Sequence, residues 1–277
     1  MRFVWQLLAV VAVSFIGGQA VIAAEGNWLL RLVLGLLAAA LALLVYGWVV
    51  RRTERRPSTE VGREGAGKAF GRGTLLGAVL FSMVITNLAA SGYYKVDGLD
   101  SVTGALGLVG FMAVAAVTEE LLYRGVLLRI IEQRIGTWLA LVATSLLFGL
   151  SHLLNEHATL WGAIAIAVEA GGMLGGAYIA TRTLWLPIGL HFGWNFAESG
   201  IFGTEVSGNG TEHGLLGSVT SGPRLLTGGE FGPEASVYSV LFGVLTTAAF
   251  MWLAHRRGNL VPRRRADRSG AVATLAR

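Results

Sequence analysis

The stretch from Gly104 to Ile131 reads GALGLVGFMAVAAVTEELLYRGVLLRII. It carries no charge before Glu119, and its apolar length meets the roughly 20 residues a helix needs to cross a bilayer core. Glu119, Glu120 and Arg124 then fall inside it. A charged side chain at that depth costs about 2.5–3.5 kcal/mol on insertion scales. Such residues need a partner or a task, so the run sets both the fold and the first candidate site.

Seven further apolar runs flank it: Phe3–Ala23, Trp28–Val50, Gly73–Ser91, Thr137–Leu153, Thr159–Thr181, Leu184–Gly203 and Ser236–His255. The chain is 53% hydrophobic and only 14% charged, against about 25% charged in soluble domains. The expectation is an all-α protein, a polytopic transmembrane helical bundle of about eight spans. Residues 1–103 supply three N-terminal helices, with a basic linker over 51–72. Residues 104–203 form the core, 204–235 a Gly-rich loop, and 236–277 the last helix and a basic tail.

Charge sets the expected orientation. The Arg51–Arg72 linker holds seven Lys/Arg against three Glu, and the segment after His255 holds seven Arg against one Asp. Both read as cytoplasmic by the positive-inside rule. Residues 204–235 hold four Glu and one Arg and read as the opposite side. Eight spans with both termini cytoplasmic satisfy all three markers. The net charge of +5 follows this loop pattern rather than a nucleic-acid face. The first run follows Met-Arg and precedes Val21-Ile-Ala23, as a signal peptide would, but is longer than the usual apolar core of about 7–15 residues. It reads as an uncleaved helix. The linker, with Pro57, Ser58 and several Gly, reads as flexible. No internal repeat or heptad is visible.

The chain has no cysteine, which removes disulfides, thiol nucleophiles and thiolate ligands. Histidine remains. Phe148 and His152 are four apart on one run, and His191 and Asn195 four apart on another. At 1.5 Å per residue Glu119 lies about 18 Å, His152 about 22 Å and His191 about 10 Å from the cytoplasmic helix ends. They can share a level, and the shallow His191 predicts a site opening toward the cytoplasm, with the helix near Pro187 bending toward it.

Glu120 and Arg124 share a helix stripe and are expected to pair, whereas Glu119 is turned about 100° away and is free for chemistry. One carboxylate, two imidazoles and an amide form a hydrolytic set. Glu119 takes a proton from water with help from His152, and His191 and Asn195 donate to an oxyanion. A zinc ion held by Glu119, His152 and His191 is the alternative from the same residue types. Ser151 and His152 are adjacent, diverge on a helix and cannot form a dyad. Neither His-Glu-x-x-His nor Gly-x-Gly-Asp occurs.

In these motifs the chain resembles the CPBP family of intramembrane proteases, which includes the type II CAAX prenyl endopeptidases and the bacteriocin-processing or immunity (Abi) proteins. The family pattern is Glu-Glu-x-x-x-Arg, Phe-x-x-x-His and His-x-x-x-Asn on separate spans. Glu119, Glu120 and Arg124, then Phe148 and His152, then His191 and Asn195 match it in order. The resemblance covers about Gly104 to Glu198. It implies an endopeptidase in which Glu119 and His152 activate water and His191 and Asn195 hold the oxyanion, by a zinc or a metal-free glutamate route. Its implied partners are membrane lipid and a protein or lipidated peptide substrate, in the plasma membrane with the site facing the cytoplasm. A scaffold or immunity role and a proton-coupled transporter are the competing readings.

Other polar residues read as less chemical. Phe148 and Tyr123 suit packing. Glu169 suits a packing or solvated-cavity role in the helix whose Gly171, Gly172, Gly175 and Gly176 permit close approach. Glu156 and His157 read as a solvated loop and His213 and His255 as incidental; for Glu198, three residues after Asn195, lining the mouth of the site is the lesser of its readings.

Overall fold

A computed structural model describes residues 2–210 and 212–263. Arg264, Arg265, Arg268 and Arg277 of the basic tail lie outside the described residues. Eight helical rods occupy the eight expected apolar runs. They are α1 (Arg2–Ile22), α2 (Trp28–Glu54), α3 (Ala66–Ala90), α4 (Val102–Ile135), α5 (Thr137–Leu154), α6 (Leu160–Thr181), α7 (185–201) and α8 (Val237–Arg256). All but α7 are long and apolar enough to cross a membrane. Large apolar side chains such as Phe15, Leu37, Leu75 and Leu245 point outward, as lipid-facing residues do. Exposed Trp5, Trp48, Trp138 and Trp252 sit near one set of helix ends and Trp28 and Trp161 near the other, the placement of interfacial aromatic belts. The protein is an all-α polytopic membrane bundle.

Sidedness follows from contacts. Arg2 bonds Gln133, Trp185 donates to the Gly62 carbonyl, and the Val261 amide bonds the Thr137 hydroxyl. The start of α1, the 51–72 linker, the α4–α5 and α6–α7 turns and residues 257–263 therefore share one face, called here the linker face. Helices α2, α4, α6 and α8 begin at the far face, and each has a side-chain cap. Asn27, Ser101, Thr159 and Ser236 accept from the amides of Leu30, Gly104, Gly162 and Ser239, satisfying N–H groups a helix start leaves unpaired.

The interior falls into two apolar clusters. One joins α1, α2, α4 and α8 around Tyr46, Leu121 and Met251. The other joins α3, α5, α6 and α7 around Phe81, Phe148, Met173 and Trp194. Glycines set two close approaches. A Cβ on Gly189 would strike the Phe70 carbonyl, and one on Gly193 the Thr74 carbonyl. Gly73 and Gly77 meet α7 backbone in the same way. Two Gly-x3-Gly pairs thus bring α3 and α7 into backbone contact. On α6, a Cβ at Gly171 would lie 2.8 Å from Ser145 and one at Gly172 2.9 Å from Thr247, the close approach the glycine run predicts.

Two segments differ from expectation. The linker is not a loose tether: Glu60 is buried on a one-turn helix, Thr59–Val61, and two Arg56 nitrogens bond its carboxylate. Arginine pairing supplies the order that its glycines and Pro57 concealed. Residues 204–235 are likewise structured. Leu216–Thr220 (β2) pairs antiparallel with Tyr94–Leu99 (β1), with a bulge between Val96 and Gly98, and Phe231, Glu234 and Ala235 are buried. The loop folds back onto the bundle because its few apolar side chains find a pocket beside α6; a Cβ on Gly162 would collide with the Phe231 ring.

Candidate active site

The candidate groups come from α4, α5 and α7, and α4, α7 and the neighbouring α6 each have a widened π-type segment near the site. These are Leu121–Leu128 in α4, Ala167–Gly171 in α6 and Phe196–Ile201 in α7. Such turns insert a residue, shift the helix phase and recur at functional sites. No turn of this kind occurs at Pro187, which lies in the first turn of α7. A proline there costs no intrahelical hydrogen bond, and the irregular part of α7 is the widened segment after Asn195.

Glu120 is fully buried. Its Oε1 accepts from Arg124 Nη1 at 2.6 Å, and Arg124 also donates to the Ala170 carbonyl at 3.1 Å. The guanidinium lies 4.6 Å above the Phe148 ring. The expected Glu120–Arg124 pair therefore exists, and Phe148 covers it. The same Glu120 oxygen also accepts from His191 Nδ1 at 3.1 Å. Sequence spacing did not show this contact, because it joins two helices. With Nδ1 committed, His191 Nε2 faces Glu119, whose Oε2 is 4.0 Å away.

His152 ends the regular part of α5. Its Nδ1 lies 2.7 Å from the Phe148 carbonyl. A carbonyl only accepts, so Nδ1 carries the proton and Nε2 of the neutral ring has a free lone pair. The neighbouring Ser151 hydroxyl donates to the same carbonyl at 2.7 Å. The Phe148 ring stands edge-on to the rings of Tyr123 and His152, fixing both.

Glu119, His152, His191 and Asn195 line one cavity of about 550 Å³, together with Tyr123, Met112 and Ser207. The Glu119 side chain is 35% exposed, and its Oε2 has no hydrogen-bond partner among the described residues. Ile22, Glu25, Asn209 and Glu212 form the mouth, with Arg31 bound to Glu212 by two bonds of 2.9 and 2.7 Å. This mouth is at the far face. The expectation of an opening on the linker side is thus corrected, and the cause is a polar plug. Arg129 bonds Glu54 and Gln6, Gln6 bonds Glu54, and the Tyr46 hydroxyl bonds the Gly125 carbonyl. These contacts close the linker end beneath the site, whereas His152 lies at the far end of α5.

Behind the cavity wall is a recess of about 10 Å³ lined by Glu169, Glu234, His152, His191 and Asn195, room for about one water. Glu169 and Glu198 are completely buried, and their carboxylate oxygens have no partners among the described residues. Glu198 is therefore an interior residue rather than part of the mouth, because the widened turn after Asn195 rotates it inward. Glu234, from the folded-back loop, accepts from Trp194 Nε1 at 3.0 Å and from the Ser207 hydroxyl. His157 bonds Glu205 at 2.7 Å, and exposed His213 bonds Asp100 at 3.0 Å.

A zinc ion needs donors about 2.0–2.2 Å from one point. Among the described residues no group of three His, Asp or Glu side chains is disposed to hold a metal. As placed, Glu119, His152 and His191 do not fit zinc.

The span holding these four residues has a recognisable signature. Residues 101–197 match the family model for Rce1-like type II CAAX prenyl endopeptidases. The Rce1-like region covers about a third of the chain, from the cap of α4 to the turn after Asn195, and contains the whole Glu-Glu, His and His-Asn set. It supports an intramembrane protease of CAAX type within an integral membrane protein. No curated protein and no solved structure matches.

Proposed function

We propose that this protein is an intramembrane endopeptidase of the glutamate type, in the plasma membrane, acting on a protein or lipidated peptide. The convergence of Glu119, His152, His191 and Asn195 on one polar cavity, within the Rce1-like region, carries the reading.

Water enters beside Glu119, whose unpartnered Oε2 faces His191. The carboxylate takes one proton as the water oxygen adds to the scissile carbonyl, with His152 Nε2 as second acceptor. His191, held by Glu120 through Nδ1, donates from a protonated Nε2 to the tetrahedral oxyanion, and the Asn195 amide donates beside it. The C–N bond breaks as the proton held by Glu119 or His152 passes to the leaving amine, giving a carboxylate and an amine. Burial inside the bilayer strengthens each of these interactions.

The test is cleavage of a peptide library by purified protein and its Glu119→Ala and His152→Ala variants, with metal content measured alongside. Loss of cleavage by about 10²-fold or more in both variants, at unchanged metal content, supports the reading. Full cleavage by Glu119→Ala removes it. A biological phenotype retained by the double variant assigns the protein to scaffolding instead.

A further inference from the structure

The mouth of the cavity and the basic residues lie at opposite ends of the bundle. The linker face carries the seven Lys/Arg of 51–72, with Arg134, Arg182, Arg256 and Arg257 at its helix ends. The far face carries Lys95 and Arg224, and its Arg31 is locked to Glu212. Lys/Arg in short loops keep their side cytoplasmic. The mouth, formed by Ile22, Glu25, Asn209 and Glu212, is on the acidic side. The polar plug of Arg129, Glu54 and Gln6 stops the cavity from reaching the linker face.

We infer that the cavity opens to the extracytoplasmic side, and that its substrate class is a peptide segment presented there by a membrane-inserted or lipid-anchored exported protein. The substrate specificity rests on the protease reading; the orientation does not. A lipidated C-terminus in the cytosol has no route to Glu119 in this geometry. Extended chain reaching the bilayer from outside meets the mouth directly, between the end of α1 and the 206–210 segment.

The native chain has no cysteine, so single cysteines report position cleanly. Asn209→Cys at the mouth, Asp97→Cys on β1 and Lys68→Cys on α3 replace exposed residues. The full chain is labelled in intact cells with a membrane-impermeant maleimide, then again after permeabilisation. The expected result is labelling of Asn209→Cys and Asp97→Cys in intact cells, with Lys68→Cys reacting only after permeabilisation. The reverse pattern, or equal labelling of all three before permeabilisation, overturns the orientation. A second arm presents one cleavable sequence fused on either side of a membrane anchor. Cleavage only of the extracytoplasmic fusion is expected, and cleavage of the cytoplasmic one overturns the substrate class. Expected labelling with cleavage of neither fusion refutes the protease reading and with it the substrate class, while leaving the orientation standing.

Discussion

His191 and Glu120 meet across two helices at 3.1 Å, through the same carboxylate oxygen that accepts from Arg124 at 2.6 Å. One buried carboxylate thus holds an imidazole and a guanidinium at once. Glu120 orients the ring that faces Glu119, and its own charge is balanced by Arg124.

Glu120→Gln should therefore destabilise strongly. Removing one member of a buried ion pair leaves the other uncompensated, at about 3–5 kcal/mol. Thermal unfolding in detergent checks it; a change within error of wild type would show that the pair does not support the bundle.

Glu119→Gln should separate from it cleanly. The Glu119 side chain is partly exposed and its Oε2 has no partner among the described residues, so stability should stay within about 0.5 kcal/mol. Peptide cleavage should fall by about 10²–10⁴-fold. Parallel melting curves and cleavage rates decide it, and a large loss of stability would contradict the assignment.

Gly193→Ala should push α7 off α3, because the added Cβ meets the Thr74 carbonyl. The cost is about 1–3 kcal/mol, and cleavage should fall as His191 and Asn195 move with the helix. Gly71→Ala, whose Cβ would meet nothing within 4 Å, is the control and should be neutral or slightly stabilising. Equal melting temperatures for the two variants would show that the helices tolerate separation.

The His157–Glu205 contact predicts a pH response at the mouth. The hydrogen bond to Glu205, and then its charge, raise the pKa of His157 above its ordinary value. A raised folded-state pKa gives stabilisation that is complete below the unfolded value, about 6.5, and is lost as pH rises through the folded one. Hydrogen exchange at residues 205–210 should quicken as pH increases through that window, after correction for intrinsic exchange. In His157→Gln it should not change; an identical profile in both proteins would refute the link. Solvent screening keeps the effect small.

Much of this was readable from residues alone, since apolar length determines helices in lipid almost unaided. All eight runs became helices, and the i, i+4 pairing of Glu120 with Arg124 followed from helix geometry. The sequence did not reveal that Glu120 also reaches His191, because contacts between spans have no spacing rule. It did not reveal the widened turns that rotate Glu198 inward, nor the β1–β2 ribbon, whose short strands lie in Gly-rich chain. Depth counted along each helix placed Glu119, His152 and His191 at compatible levels. It gave the wrong opening because access depends on which end is plugged, and the Arg129–Glu54–Gln6 cluster is assembled from residues far apart in the chain.

Glu234 reaches Trp194 and Ser207 from just before the last span. The back wall of the cavity is therefore finished only after α1 to α7 have all been synthesised. While the earlier spans are being inserted, Glu119 and both histidines stand without that enclosure. Any hydrolytic power thus waits for a segment made after the seven spans that precede it.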